Sequence, residues 1–513
     1  MPVDDPDDRS TWAFPAMMPY RIYHYPVPAM LQQVQPPAKD RWPWPMTAGA
    51  RRFGEQTPGH HPGTHIYVHV PFCPFKCSFC PFYKQIDRGQ IAGYVDGVVR
   101  EIGYYGGLPE ATADAYSTVY FGGGTPSQLS PDQLGRIIGA LRDNFRLADD
   151  VEITVEGVCE EMLPNDYLAR IRAHGVTRVA FGVQSVDPVV RQAIGRGPES
   201  VDAYPKVVEL AQSLGLYANV ELMVGCPEQD EATALRDFAE VISWKPASVD
   251  VASYQMVPGT NLFKTIVRGQ RTEPAVGARL LRMRQVATDF FRSAGYRPGS
   301  CELFVREDTH RYSPSAAHLV ENGLNSYLAF GPSAIGHLAG TAYTNAPDLG
   351  QYLGALAGGR LPVARRTRMS YGGSVRRAVL GGLGGLSVPD AFLRGQRYER
   401  TFRRWLDQGL VERSDTGYRL TERGLHWGSQ MQVAFLTVAD RARLAPMLGS
   451  VSDQNALFSG STVVGAELLE QIGEGSAVKK AGYRAALKLL GALPGVDKRG
   501  TSLIGTKEAS VSD

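Results

Sequence analysis

A short apolar run, Tyr67-Val-His-Val-Pro-Phe72, leads directly into Cys73-Pro-Phe-Lys-Cys77-Ser-Phe-Cys80. This CxxxCxxC spacing constrains the chain more than any other stretch. Cysteine thiolates hold iron–sulfur clusters, and three of them this close on one loop match three irons of a 4Fe–4S cluster. The fourth iron is then left without a protein ligand. The alternatives are a structural zinc site, which wants four ligands where no fourth cysteine or histidine follows closely, and three unrelated buried cysteines.

From His65 to about Gly336 the pattern alternates strand, glycine-rich or polar turn, and helix. Strand-like runs are Ile66–Val70, Thr118–Phe121, Glu152–Val155, Arg178–Val183, Asn219–Val224 and Val249–Gln255. Ile91, Val95, Val98 and Ile102 share one helical face, as do Val276, Leu280, Met283, Ala287 and Phe290. Repeated βα units of this kind predict an α/β fold with a parallel sheet and right-handed crossovers. Six strands are too few for a complete eight-fold barrel.

The flanks read differently. Residues 1–64 interleave prolines with Trp12, Phe14, Tyr20, Tyr23, Tyr25, Trp42 and Trp44, which predicts an extended arm on the main domain. The arm either contributes to a substrate pocket or partner surface or only covers apolar surface. The main domain is expected over 65–364. Residues 365–435 read as short helices and a hairpin around Asp415-Thr-Gly417, and 436–513 as an extension with one helical stretch near Lys479–Leu490. Six cysteines, three of them in one motif, fit a reducing compartment, and the net charge of +2 favours neither nucleic acid nor membrane. No apolar run is long enough to span a bilayer, so a soluble cytoplasmic protein is expected.

A second motif, Gly122-Gly123-Gly124-Thr125-Pro126, follows the second strand. Glycines at a strand end let backbone polar groups approach a ligand closely. Glu156 ends the third strand, Gln184 ends the fourth, and Arg196 lies twelve residues beyond Gln184. Glu221 starts Glu-Leu-Met-Val-Gly225-Cys-Pro227 on the fifth. Cys159, Cys226 and Cys301 have no partner spacing and read as buried structural thiols. His69 reads as local packing or a hydrogen bond. Glu302, Arg306, Glu307, Asp308 and His310 form a polar run that reads as a solvated loop ahead of a catalytic base.

The string YVHVPFCxxxCxxC followed by GGGTP resembles the HemN-like family of radical S-adenosylmethionine (SAM) enzymes, the relatives of oxygen-independent coproporphyrinogen oxidase. The resemblance implies a partial (β/α)6 barrel with its active site at the carboxyl ends of the strands, and a small winged-helix-like domain over the mouth. It implies a 4Fe–4S cluster on Cys73, Cys77 and Cys80, with SAM chelating the open iron. Gly123, Gly124 and Thr125 then meet the methionine end of SAM, and Glu156, Gln184, Arg196 and Glu221 are polar SAM contacts. Glu221 stands where the family carries aspartate. Tyr67 and Phe79 lie over the cluster and against SAM, and Gly331-Pro-Ser-Ala334-Ile335-Gly336 resembles a late loop seating a second SAM. Arg394, Arg397, Arg400, Arg403 and Arg404 make the C-terminal domain basic, but nothing else supports nucleic-acid binding.

Departures decide the expected branch. Coproporphyrinogen oxidases carry a further cysteine where this chain has Phe82, and the haem-chaperone branch carries His-Asn-x-x-Tyr-Trp where this chain reads Glu321-Asn-Gly-Leu-Asn-Ser-Tyr327-Leu. What remains resembles class C radical SAM methyltransferases and cyclopropanases of natural-product pathways. That implies two SAM molecules, an unsaturated small-molecule acceptor methylated or cyclopropanated at an sp2 carbon, an external electron donor of flavodoxin or ferredoxin type, and a possible partner methyltransferase. The alternatives are a haem- or porphyrin-modifying relative and a non-catalytic haem carrier.

Overall fold

A computed structural model of the chain describes residues 64–80, 87–164, 166–197, 200–254, 260–275, 277–307, 327–339, 341–368, 371–393, 398–431 and 435. Residues 1–63 of the arm expected over 1–64, the extension over 436–513, Phe82, Asp308, His310, residues 321–326, Arg394 and Arg397 lie outside the described residues, and Thr64 opens the first strand.

Strands β1 (Thr64–Val70), β2 (Tyr116–Gly123), β3 (Leu147–Glu156), β4 (Arg178–Gln184), β5 (Tyr217–Val224) and β6 (Ser248–Ser253) pair in parallel and in chain order. Alternation along each strand decides which side packs. Ile66, Val68, Val119, Phe121, Ile153, Val155, Val179, Phe181, Val220, Leu222 and Val249 are buried in the main core, under the crossover helices. The opposite, concave side carries Tyr67, Tyr120, Glu156, Gly182, Glu221 and Asp250, the residues of the other parity.

The crossovers are helical for readable reasons. Helix α1 (Ile91–Gly106) buries Ile91, Val95, Val98 and Ile102, the face expected from its period, with Tyr94 and Tyr105 beside them. Helix α2 (Pro131–Asn144) starts on a capping box in which Ser130 and Gln133 satisfy each other's backbone N–H groups, with Pro131 in its first turn. Helices α3 (Tyr167–Ala173), α4 (Pro188–Ile194), α5 (Ala203–Ser213) and α6 (Glu231–Ser243) complete the wrapping. Helix α7 (Gly277–Ser293) buries Leu280, Met283 and Ala287 as expected, but Phe291 rather than Phe290 continues that face into the core.

The sheet extends beyond these six strands on both sides. Among the described residues its order is β12-β11-β10-β9-β1-β2-β3-β4-β5-β6-β8-β7. Strand β8 (Leu303–Arg306) adds antiparallel to β6, and β7 (Tyr296–Pro298) adds antiparallel to β8. Strand β9 (Tyr327–Phe330) lies parallel to β1, and β10 (Ile335–Leu338), β11 (Thr341–Asn345) and β12 (Val363–Arg368) follow antiparallel, with helix α8 (Leu349–Ala357) between the last two. The sheet therefore stays open, because β9 and β8 occupy the edges of β1 and β6 that barrel closure would have joined. Strand β8 also corrects the expectation of a solvated loop. Glu302 is 4% exposed and pairs with Arg284 at 3.6 Å.

A second hydrophobic core gathers Val375, Leu383, Phe402, Trp405, Tyr418, Met431 and Phe435. It lies within helices α9 (Tyr371–Gly384), α10 (Tyr398–Asp407) and α11 (Glu422–Met431) and the antiparallel strands β13 (Ser387–Pro389), β14 (Val411–Arg413) and β15 (Gly417–Leu420), in the order β13-β15-β14. The expected hairpin is β14–β15, closed by Ser414 N–H donating to Gly417 O at 2.9 Å. Cys301 belongs to this core, and its backbone N–H donates to Gly384 O, which fastens the unit to the main sheet. Arg403 pairs with Glu399 one turn away on α10, so part of its basic face is neutralised locally. Among the described residues no helix is long and apolar enough to cross a membrane.

Candidate functional site

The carboxyl end of β1 runs straight into the cysteine loop, and neighbouring strand ends hold that loop. Cys73 and Cys77 are buried and Cys80 is half-buried, and none of the three is in a disulfide. Thr125 Oγ1 stands 3.3 Å from the Cys73 sulfur, joining the GGGTP loop to the first cysteine. Arg196 donates from Nη1 to the Cys77 sulfur at 3.4 Å and from Nη2 to Gly182 O, and its guanidinium lies 5.5 Å from the Phe75 ring centre. Ser78 donates to Ile194 O, and Leu262 N–H donates to Ser78 O at 2.9 Å. The loop is thus tied to β2, β4 and the segments after them.

Gly124 shows why the second motif needs glycine. Its N–H donates to Val70 O at 2.8 Å, and a Cβ there would stand 2.6 Å from both Val70 O and Phe72 O. Gly124→Ala is therefore expected to push the cysteine loop off β2 and cost about 1–3 kcal/mol. Lower iron content after reconstitution, together with a lower Tm, checks it.

Glu156 takes Tyr120 O–H at 2.5 Å and Gly123 N–H at 3.2 Å. Burial pushes its carboxyl above the ordinary range, the two hydrogen bonds oppose that, and Asp250 nearby adds to the rise. Gln184 closes β4 with φ at +68°, a backbone conformation that non-glycine residues rarely adopt. A side chain on Gly182 would meet Gln184 Nε2 at 2.3 Å and Glu221 Oε2 at 3.6 Å, so the Gln184 and Glu221 side chains share the space above Gly182. Tyr67 donates to or accepts from His69 Nδ1 at 3.1 Å, and its ring stacks with those of Tyr120 and Tyr327.

The late loop reaches the same place. Gly331 sits against β1, where a Cβ would stand 2.4 Å from His69 O. Ala334 is buried behind it, its N–H donating to Gly331 O at 3.3 Å and its carbonyl accepting from Asn345 N–H at 2.9 Å, and Ile335 opens β10. Cys73, Cys77, Gly123, Gly124, Thr125, Glu156, Gln184, Arg196, Glu221 and Ala334 thus gather at the carboxyl ends of β1–β5. Phe79 packs against the apolar group of Val190, Ile194, Met223, Tyr254 and Leu262. Tyr120 and Asp250 also face this site, although no motif marks them in the sequence. Both share the parity of Glu156 and Glu221 on their strands, and that was the signal available. Cys159, Cys226 and Cys301 are buried, as expected of packing thiols.

Comparison with known proteins identifies the class. The family model for the radical SAM superfamily matches residues 67–239. Anaerobilin synthase of Escherichia coli O157:H7 is 30% identical over 373 residues, covering 71% of this chain and 82% of the relative. The heme chaperone HemW of Mycobacterium tuberculosis strain H37Rv is 31% identical over 315 residues, covering 58% of this chain and 76% of the relative. The coproporphyrinogen III oxidase HemN from Escherichia coli superposes with a TM-score of 0.61 at 22% identity, covering 74% of this chain and 91% of that chain, and so shares the fold. This chain belongs to the HemN-like family of the radical SAM superfamily. Members of the superfamily use a 4Fe–4S cluster and SAM.

The residues fit those groups. Thiolates of a three-cysteine site each bind a different iron, so their sulfurs need not converge on one point. Among the described residues no three His, Cys, Asp or Glu side chains converge as a single metal ion would require. The sulfurs of Cys73 and Cys77 each have an N–H or O–H donor beside them, from Arg196 and Thr125, as an anionic ligand requires.

Proposed function

We propose that the protein modifies a tetrapyrrole of the haem or porphyrinogen class under anaerobic conditions, using SAM. The observation that carries this reading is the gathering of the cysteine loop, the GGGTP loop, Glu156, Gln184 and Arg196 at adjoining strand ends. That arrangement comes in a chain whose relatives are named for haem, anaerobilin and coproporphyrinogen. Methyl transfer or cyclopropanation of a natural-product acceptor takes second place, since it rests on the departures at Phe82 and over 321–328, whereas the relatives are named for haem, anaerobilin and coproporphyrinogen.

In this reading Cys73, Cys77 and Cys80 hold the cluster. When bound and reduced by an external donor, the cluster supplies the electron that cleaves SAM. The chain supplies placement and exclusion of water. The backbone of Gly123 and Gly124 receives the methionine end, Glu156 and Glu221 accept from its amino group and from ribose hydroxyls, and Gln184, fixed by its backbone, orients them. Arg196 steadies the cysteine loop, Tyr67 covers the site from β1, and the Ala334–Ile335 loop offers a seat for a second SAM. Misplacement of reacting atoms by about 1 Å costs about a hundredfold in rate, which is the physical reason for so many ties between strand ends.

The test is anaerobic incubation of the reconstituted, reduced protein with SAM and, separately, haem, coproporphyrinogen and a non-tetrapyrrole alkene, with product masses measured. The proposal expects a new product from one of the tetrapyrroles. Turnover of the alkene alone supports the natural-product reading instead, and tight stoichiometric haem binding without 5′-deoxyadenosine supports a carrier.

A further inference from the structure

Glu101 is a carboxylate with no role in the site described so far. It lies in the last half of α1, is 0% exposed, and accepts three hydrogen bonds from neutral groups: Gly331 N–H at 2.9 Å, Asn345 Nδ2 at 2.7 Å and Tyr352 O–H at 2.5 Å. Asn345 Nδ2 also donates to Gly331 O at 2.9 Å, so the Gly331 residue is gripped at both its N–H and its carbonyl. Its φ is +97°, and a Cβ there would collide with His69 O, so only glycine brings the loop this close to β1. From the same helix, Tyr94 O–H donates to His69 O at 2.8 Å. Helix α1 therefore holds both sides of the seam between the end of β1, four residues before Cys73, and the late loop. Burying a carboxylate among neutral partners is costly, and a neutral residue would pack in its place without that cost.

We propose that Glu101 is a positioning residue that locks the Gly331–Gly336 loop onto the end of β1 and so holds the SAM seat formed by Ala334 and Ile335. The role of that loop as a seat rests on the reading given under Proposed function. The clamp itself rests on the three hydrogen bonds.

The clamp depends on charge. Gly331 N–H and Asn345 Nδ2 can only donate, whereas the Tyr352 hydroxyl can also accept, so a protonated Glu101 turns its O–H to Tyr352 and holds the other two only as a neutral acceptor, with hydrogen bonds about half as strong as those of the ionised carboxylate. Burial raises the Glu101 carboxyl to about 7, against the opposing pull of its hydrogen bonds from Tyr352, Gly331 and Asn345. The titratable groups packed around it are Tyr94 and Tyr105 on α1, Tyr343 on β11 and Tyr352 on α8, all phenols that burial raises above their ordinary value. They stay neutral between pH 5 and 9, which are bounds of roughly the physiological range. Because the folded value lies above the ordinary carboxyl value of 4.5, the contribution of Glu101 to global stability is full below about 4.5 and lost as pH rises through about 7. The grip on the loop runs the other way, strengthening as pH rises through about 7.

The experiment compares the reconstituted wild type with Glu101→Gln and Tyr352→Phe by equilibrium dialysis of SAM and by hydrogen exchange of the peptide covering 327–339, both across pH. Glu101→Gln should exchange faster in that peptide and bind SAM about tenfold more weakly at pH 8, with iron content unchanged and Tm not lowered in proportion. The wild type should bind SAM more tightly as pH rises through about 7, and Glu101→Gln should lose that dependence. Tyr352→Phe, which leaves the Gly331 and Asn345 bonds in place, should stay close to wild type. Unchanged exchange in Glu101→Gln overturns the clamp. Faster exchange with unchanged SAM binding leaves the clamp standing and overturns the loop as a cofactor seat, and with it the positioning role.

Discussion

Cys73→Ala is expected to remove the iron–sulfur cluster and all turnover. Cys73 is the first residue of the loop to carry a thiol after β1, it is 4% exposed, and its sulfur lies 3.3 Å from Thr125 Oγ1. The thiols outside the motif, Cys159, Cys226 and Cys301, sit in separate packed environments, and burial raises Cys226 and Cys301 above the ordinary thiol range, Cys301 to about 12. Neither is suited to replace a lost ligand. Iron per chain should fall from about four to near zero, and 5′-deoxyadenosine should fall below detection. Cys159→Ala, a buried packing thiol on the helical side, should keep the cluster. Retained SAM cleavage in Cys73→Ala would reject the cysteine assignment.

Arg178→Leu is expected to destabilise the fold by about 3–5 kcal/mol, because breaking one side of a buried ion pair leaves an uncompensated charge. Arg178 and Glu152 are each 1% exposed and pair at 3.2 Å, Nη1 of Arg178 donates to Ser248 Oγ at 3.1 Å, and the guanidinium stands 5.2 Å from the Tyr217 ring centre. These residues join β3, β4, β5 and β6 on their concave side, nearer the amino ends of the strands than the cofactor residues. The Arg178→Leu, Glu152→Leu double variant should recover part of the loss, since no lone charge remains buried. A Tm for Arg178→Leu within a degree or so of wild type would show that this pair does not hold the sheet.

Much of the site was legible because its residues occur at strand ends, where motif and structure coincide. Cys73, Gly124, Glu156 and Gln184 each fall at or just past the last residue of a strand whose alternation was clear in the sequence. The six parallel strands were readable for the same reason, being six to ten residues long. Strands β7–β12 were not, since they run to three to six residues and carry too few alternations to separate from loop. Glu302 looks solvated because charge in a short segment reads as surface, whereas in the fold it is buried and pairs with Arg284 of α7. Glu101 was invisible for a similar reason. On α1 it looks like one polar residue among apolar ones, and its partners Gly331, Asn345 and Tyr352 lie more than two hundred residues away. The choice of branch rests on Phe82 and the 321–328 segment, local departures that say less about the substrate than does similarity over most of a relative's length.

The most direct measurement follows 5′-deoxyadenosine by mass spectrometry in anaerobic reactions of the reconstituted, reduced wild type with SAM, with and without haem or coproporphyrinogen. A radical SAM enzyme acting on a tetrapyrrole predicts that 5′-deoxyadenosine forms, rises with one of the tetrapyrroles, and accumulates alongside a modified tetrapyrrole. A full complement of iron and bound SAM with no 5′-deoxyadenosine under any of these conditions would contradict it.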